Sequence, residues 1–123
     1  MKVLLSIKPE YANSILDGTK HFEFRKSIFK RKGVEKVVIY ATMPVGKVVG
    51  EFDVGGVLSL KPDDLWNETK DNAGVSFSFF SSYFFGREKG FAIKVKNPTR
   101  YDQPCELNDI LPNAVPPQSY RYL

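Results

Sequence analysis

The hydrophobic pattern changes period repeatedly along the chain, and each change marks the border of an element. Val3 to Ile7 is β-prone and apolar and predicts a buried first strand. Pro9 opens a short helix with Glu10 in its first turn, where an acid suits the positive helix end. Ala12, Ile15 and Leu16 give that helix one apolar face, and Gly18 is its expected C-terminal stop. Residues 20–26 then switch to period two, Lys20, Phe22 and Phe24 alternating with His21, Glu23 and Arg25, which predicts a strand with one packed and one polar face. Ser27 to Lys36 is a basic loop, Val37 to Ala41 a further apolar strand, and Pro44 and Gly46 a turn. Lys47 to Leu60 is a long strand whose Gly50 and Gly55-Gly56 predict bulges or bends.

The second half reads less cleanly. Pro62-Asp63-Asp64-Leu65-Trp66 starts a second helix that Gly74 ends. Ser76 to Phe85 fits both periods; Phe77, Phe80 and Phe84 at helical spacing, behind Ser76 as N-cap, predict a third helix stopped by Gly86. Gly90 to Lys96 alternates as a strand, a short strand follows around Tyr101 to Leu107, and the proline-rich remainder is an extended tail. These elements predict one α+β domain over residues 1–123, a compact mixed barrel-like sheet of about six strands with two or three short helices, and no βαβ pattern.

Composition narrows the chemistry. The 123 residues are 42% hydrophobic and 26% charged, ordinary for a soluble domain. Cys105 is the only cysteine and His21 the only histidine, so no disulfide, cysteine-based zinc site or cofactor site is predicted. A Cys105–His21 dyad has no local support. The N-terminal apolar run is too short for a signal peptide, and no run is long enough to span a bilayer, so the expectation is a cytoplasmic protein without a membrane partner. Net charge is +4 but uneven: residues 1–50 carry ten of the 18 Lys/Arg and four of the 14 Asp/Glu. Such a basic half is compatible with a footprint for a polyanion, although by itself a solvated charged face is the simpler explanation.

The segment Gly18-x-Lys20-x-x-Glu23-x-Arg25 matches the G-x-K-x-x-E-x-R signature of ASCH domains, and it follows a first strand and short helix as that family requires. Ser6-Ile7-Lys8-Pro9, Ile39-Tyr40-Ala41-Thr42, Pro44 to Phe52, the Trp66 helix, Tyr83-Phe84-x-Gly86-Arg87 and Pro116 to Tyr120 extend the likeness over most of the chain. The sequence therefore resembles a bacterial and phage-type, single-domain ASCH protein of the PUA-like superfamily. The resemblance implies a pseudobarrel with a basic cleft lined by the signature Lys, Glu and Arg. It also implies RNA binding, connected with translation or transcription control. One enzymatic branch hydrolyses the acetyl amide of N4-acetylcytidine, pairing the signature Lys with a Thr three residues later. Here that position is Glu23, which removes the nucleophile.

The expected function is thus an RNA- or modified-nucleotide-binding domain. Lys20 and Arg25 are suited to phosphate, and Glu23 to an exocyclic amine. Lys8, Lys47, Gln118 and Ser119 are further candidates for lining the cleft, and Lys30-Arg31-Lys32 for tracking phosphates. The alternative is a small hydrolase, an N4-acetylcytidine-type amidohydrolase or a ribonuclease, with Lys20 and Glu23 catalytic. A protein partner stays unnamed by the sequence. One geometric condition attaches to every version. In a regular strand Lys20 faces away from Glu23 and Arg25, so it joins them only if it precedes the strand proper.

Overall fold

The computed structural model describes residues 1–123. Six strands form one sheet: β1 (Lys2–Ile7), β2 (Phe22–Arg25), β3 (Lys36–Ala41), β4 (Lys47–Leu60), β5 (Gly90–Cys105) and β6 (Tyr120–Tyr122). Their spatial order is β2-β5-β4-β3-β1-β6. The β1–β3 pair is parallel, with α1 (Pro9–Leu16) and β2 between them in sequence, and every other pair is antiparallel. Helix α2 (Pro62–Thr69) runs into a 3₁₀ turn (Lys70–Asn72); α3 (Phe77–Tyr83) and a one-turn α4 (Leu107–Ile110) complete the fold. No helix is long and apolar enough to cross a membrane.

The sheet is curled into a half-barrel, and the glycine-interrupted β4 shows how. Its pairing with β5 shifts register between Val48 and Gly50, between Glu51 and Asp53, and between Val54 and Val57. Each shift adds local twist to one strand, which is how a sheet of this size bends. The curl brings Arg25 of β2, at one edge, against the backbone of Ser6 in β1 and of Ser119 just before β6, at the other.

Three apolar clusters hold these elements. Val3, Leu5 and Ile7 of β1, with Ile39 and Phe52, pack under Ala12, Ile15 and Leu16 of α1. Phe24, Leu65, Phe80, Phe84 and Ala92 form a second cluster joining α2 and α3 to the β2 end. Leu4, Val38, Tyr40, Val48 and Leu107 pack on the opposite face of the sheet. Burying each large side chain stabilises the fold by about 1.5–3 kcal/mol.

Three expectations change. The predicted strands 90–96 and 101–107 are one strand, β5, of 16 residues. Asp53 pairs with Lys96 and Glu51 with Thr99, so Asn97 and Pro98 both stand opposite Phe52. Asn97 takes a positive φ of 48° there, and the bulge absorbs the proline without ending the ladder. Leu107 belongs to α4, because Glu106 and Asp109 form a reciprocal capping box across its first turn. The tail, expected to be merely extended, supplies β6, whose Tyr122 pairs with Val3 and Tyr120 with Leu5.

Candidate functional site

Helix α1 ends at Leu16, and Gly18 adopts a φ of 87° that reverses the chain. The amides of Thr19 and Lys20 both donate to the Ser14 carbonyl at 3.0 Å, so Lys20 still belongs to the helix terminus. Strand β2 begins only at Phe22. The condition placed on Lys20 is met: its side chain enters the same cavity as Glu23.

That cavity has a volume of about 160 Å³ and lies where the two edges of the curled sheet meet. Ser6 and Ile7 of β1, Lys8, and Tyr11 of α1 form one wall, with Lys20 and the β2 residues Glu23, Phe24 and Arg25 opposite. Val75, Phe79 and Tyr83 close it from the α3 side.

Lys20 is the most constrained residue in it. Only 1% of its surface is exposed, and its ammonium donates to the Ala73 carbonyl at 2.7 Å. Two ring faces complete its surroundings, Phe24 at 4.7 Å and Tyr11 at 5.4 Å from Nζ. Gly74 makes this possible. A Cβ on Gly74 would collide with the Lys20 side-chain stem, and its φ of 71° favours glycine in any case. Burial pulls the Lys20 ammonium down to about 8, against the opposing effect of the Glu23 charge.

Glu23 is buried at 6% exposure, and that burial raises its carboxyl above the usual range despite the charges of Arg25 and Lys20. Its Oε2 accepts from Arg25 Nη1 at 3.3 Å. The rest of the Arg25 fork is spent on backbone: Nη2 donates to the Ser119 carbonyl at 2.6 Å and Nη1 to the Ser6 carbonyl at 3.4 Å. Arg25 therefore clips the sheet's two edges together and holds a buried carboxylate, besides presenting positive charge to the cavity.

The rim is aromatic. Phe79 and Tyr83, four residues apart on α3, stack at 6.0 Å with an interplanar angle of 11°, and Tyr11 meets Phe79 at 5.3 Å. The exposed ammoniums of Lys8 and Lys26 lie 5.6 Å over Phe79 and 4.8 Å over Tyr83. Tyr83 donates to the Phe24 carbonyl at 3.4 Å, which fixes its ring.

The remaining candidates separate. Lys8 lines the cavity. Ser119 sits beside it through its carbonyl, and its hydroxyl meets Ser27 Oγ at 3.2 Å; Gln118 is exposed next to it. Lys47 does not line the cavity. Its ammonium is held by Glu106 at the start of α4, because β4 begins at the far side of β3 from β1. Ser6, Tyr11, Val75 and Phe79 also line the cavity, and the sequence pattern marks none of them as a cleft residue. Phe79 lies off the stripe of Phe80 and Phe84 that α3 buries, and that displacement was the available signal. Phe77, assigned to the stripe, is 57% exposed and only leans on Trp66. His21, bonded to the Gly18 carbonyl, and Cys105, at the end of β5, play no part in the cavity.

Fold and cavity together define a curled half-barrel domain with a cleft at the seam between its edges, lined by buried ionisable groups and rimmed by rings. The sequence profile of the ASCH domain matches residues 5–103, and the chain belongs to that family. An ASCH domain-containing ribonuclease of Zymomonas mobilis is 32% identical over 99% of this chain and 84% of its own length. The crystal structure of ASCH from Zymomonas mobilis superposes with a TM-score of 0.92 at 30% identity, covering 99% of this chain and 87% of that one. A similar segment also lies within a longer protein: the large ribosomal subunit protein uL22 of Ureaplasma parvum is 29% identical over 87% of this chain but only 34% of its own length.

Proposed function

We propose that this protein binds RNA by taking one nucleotide into the seam cleft. The observation that carries this reading is the pairing of stacked rings with cations at a single cavity mouth: Phe79 and Tyr83, capped by Lys8 and Lys26. Rings accept any base face and cations accept phosphate, so the combination suits a single strand with its bases exposed. Inside, the Glu23 carboxylate is placed to take a hydrogen bond from an exocyclic amine, and a carboxylate discriminates such a donor from a carbonyl. The ribonuclease name of the Zymomonas mobilis relative supports an RNA ligand. The test is binding of a short fluorescent oligoribonucleotide to wild type and to the Phe79→Ala/Tyr83→Ala variant. A large loss of affinity is expected; unchanged binding in the variant refutes the assignment of the cleft.

A second reading, hydrolysis in the same cleft, is favoured by one observation. Lys20, brought down to about 8, and Glu23, raised by burial, both lie closer to neutrality than free side chains do. An amine that gives up its proton more readily than usual and a carboxyl that holds one more readily than usual, facing one cavity, are suited to exchange protons with an attacking and a leaving group. Incubation with structured and unstructured RNA and with N4-acetylcytidine separates the readings. Product formation abolished by Lys20→Ala establishes the enzyme, whereas tight binding without turnover establishes the reader.

A further inference from the structure

The loop after β2 carries Lys26, Lys30, Arg31 and Lys32, all exposed. The ion pairs of the molecule engage Lys2, Arg25, Lys36, Lys47 and Arg100 and leave these four without a carboxylate. Unpaired cations are common on surfaces, but these are held on a fixed backbone. Ile28, Phe29 and Val34 pack against the α1 core, and Phe29 meets Tyr120 edge-on at 6.5 Å. The Tyr122 hydroxyl accepts from the amides of Lys30 at 2.8 Å and Arg31 at 3.0 Å, and the Arg31 guanidinium lies 4.5 Å over the Tyr122 ring.

The same tail that pins this loop is clipped to the cleft. Ser119 accepts from Arg25 and meets Ser27 side chain to side chain, and Tyr122, three residues on, holds the loop. Three residues of extended chain span roughly 10 Å. The cleft mouth and the basic loop are thus joined by one short, strand-paired segment of the tail.

We propose that the loop from Lys26 to Lys32 is a second contact surface, which takes the phosphates of a single RNA strand leaving the cleft. This rests on the RNA reading of the cleft and adds to it a ligand several nucleotides long and a direction of exit, along Ser119 to Tyr122. Three features favour phosphate over an acidic protein. The four cations are all exposed, no pocket is lined by their loop, and the first of them, Lys26, stands over Tyr83 at the cleft rim.

The test compares a trinucleotide and a dodecanucleotide of the same unstructured RNA, titrated against wild type and the Lys30→Gln/Arg31→Gln/Lys32→Gln variant over a range of salt. The variant keeps the backbone amides that Tyr122 holds; if it fails to fold, Lys30→Gln/Lys32→Gln, which retains the Arg31–Tyr122 stack, decides instead. The longer RNA is expected to lose at least about tenfold in affinity near 0.1 M salt, with its log–log salt slope reduced by about 2 for three lost phosphate contacts. The trinucleotide is expected to bind within about twofold of wild type. Equal losses at both lengths, or none at either, overturn the loop proposal and leave the cleft reading standing. Failure of wild type to bind either RNA overturns both. Polyglutamate of matched charge competing as well as the longer RNA overturns the phosphate assignment in favour of an acidic protein.

Discussion

Arg25 and Ser119 belong to opposite edges of the sheet, yet the guanidinium of one donates to the carbonyl of the other at 2.6 Å. The contact closes the half-barrel at the place where the cleft opens. The same guanidinium offsets the buried charge of Glu23. Closure of the sheet and the electrostatics of Glu23 therefore meet in one side chain.

Arg25→Ala is expected to destabilise the fold by about 3–5 kcal/mol, since it strands a buried carboxylate and two backbone acceptors. Urea unfolding measures this. Arg25→Lys is expected to recover only part of the loss, because an ammonium cannot span both backbone carbonyls and Glu23 with a planar fork. Full recovery by lysine would show that charge alone matters there.

Lys20 sets a pH dependence. Its folded value of about 8 lies below the ordinary lysine value of 10.5. Between the two the unfolded chain binds the extra proton, so the Lys20 contribution to stability rises with pH across that window and is at its least favourable below 8. Glu23 acts in the opposite sense at acid pH: its raised carboxyl makes its contribution fall as pH climbs through and above the usual glutamate range. Unfolding free energies of wild type and Lys20→Met, compared from pH 7 to 10, are expected to differ increasingly in favour of wild type. A pH-independent difference would place the Lys20 ammonium in water.

Gly74→Ala combines a left-handed backbone with a collision against the Lys20 stem. The backbone part costs roughly 1–2 kcal/mol, and the collision adds to it. Repeating the substitution in a Lys20→Ala background is expected to relieve the part of the collision made by Cγ and Cδ, leaving the close approach to Cβ and the backbone cost. Additive effects in that double-mutant cycle would mean that Gly74 does not accommodate Lys20.

The two faces of α3 predict opposite phenotypes. Phe80→Ala is expected to cost about 3–5 kcal/mol in thermal or urea unfolding, because Phe80 is buried among Phe24, Phe84 and Trp66. Phe79→Ala is expected to cost far less stability and about 1–3 kcal/mol in RNA binding, the value of one base–ring stack. An affinity loss that follows stability in both variants would remove Phe79 from the ligand site.

Much of this molecule was legible before its fold. The strand and helix of residues 2–16, the break at Gly18, the bulged β4 and the helix behind Ser76 all follow from local rules of period, proline, glycine and capping. The signature supplied the family and the cluster of Lys20, Glu23 and Arg25, and even the condition on Lys20 was readable from Gly18. Tertiary structure decided what local rules do not contain. The single β5 exists because β4 supplies a partner across the Asn97–Pro98 bulge, and β6 because β1 has a free edge for Tyr120–Tyr122. The polar face of β2 became interior because the sheet curls, so Glu23 lost its water; Lys20, ahead of the strand, is buried against Ala73, Tyr11 and Phe24, and both moved from their ordinary proton affinities. Periodicity records which residues share a face; which faces meet is set by strand order and curvature, and those depend on contacts far apart in sequence.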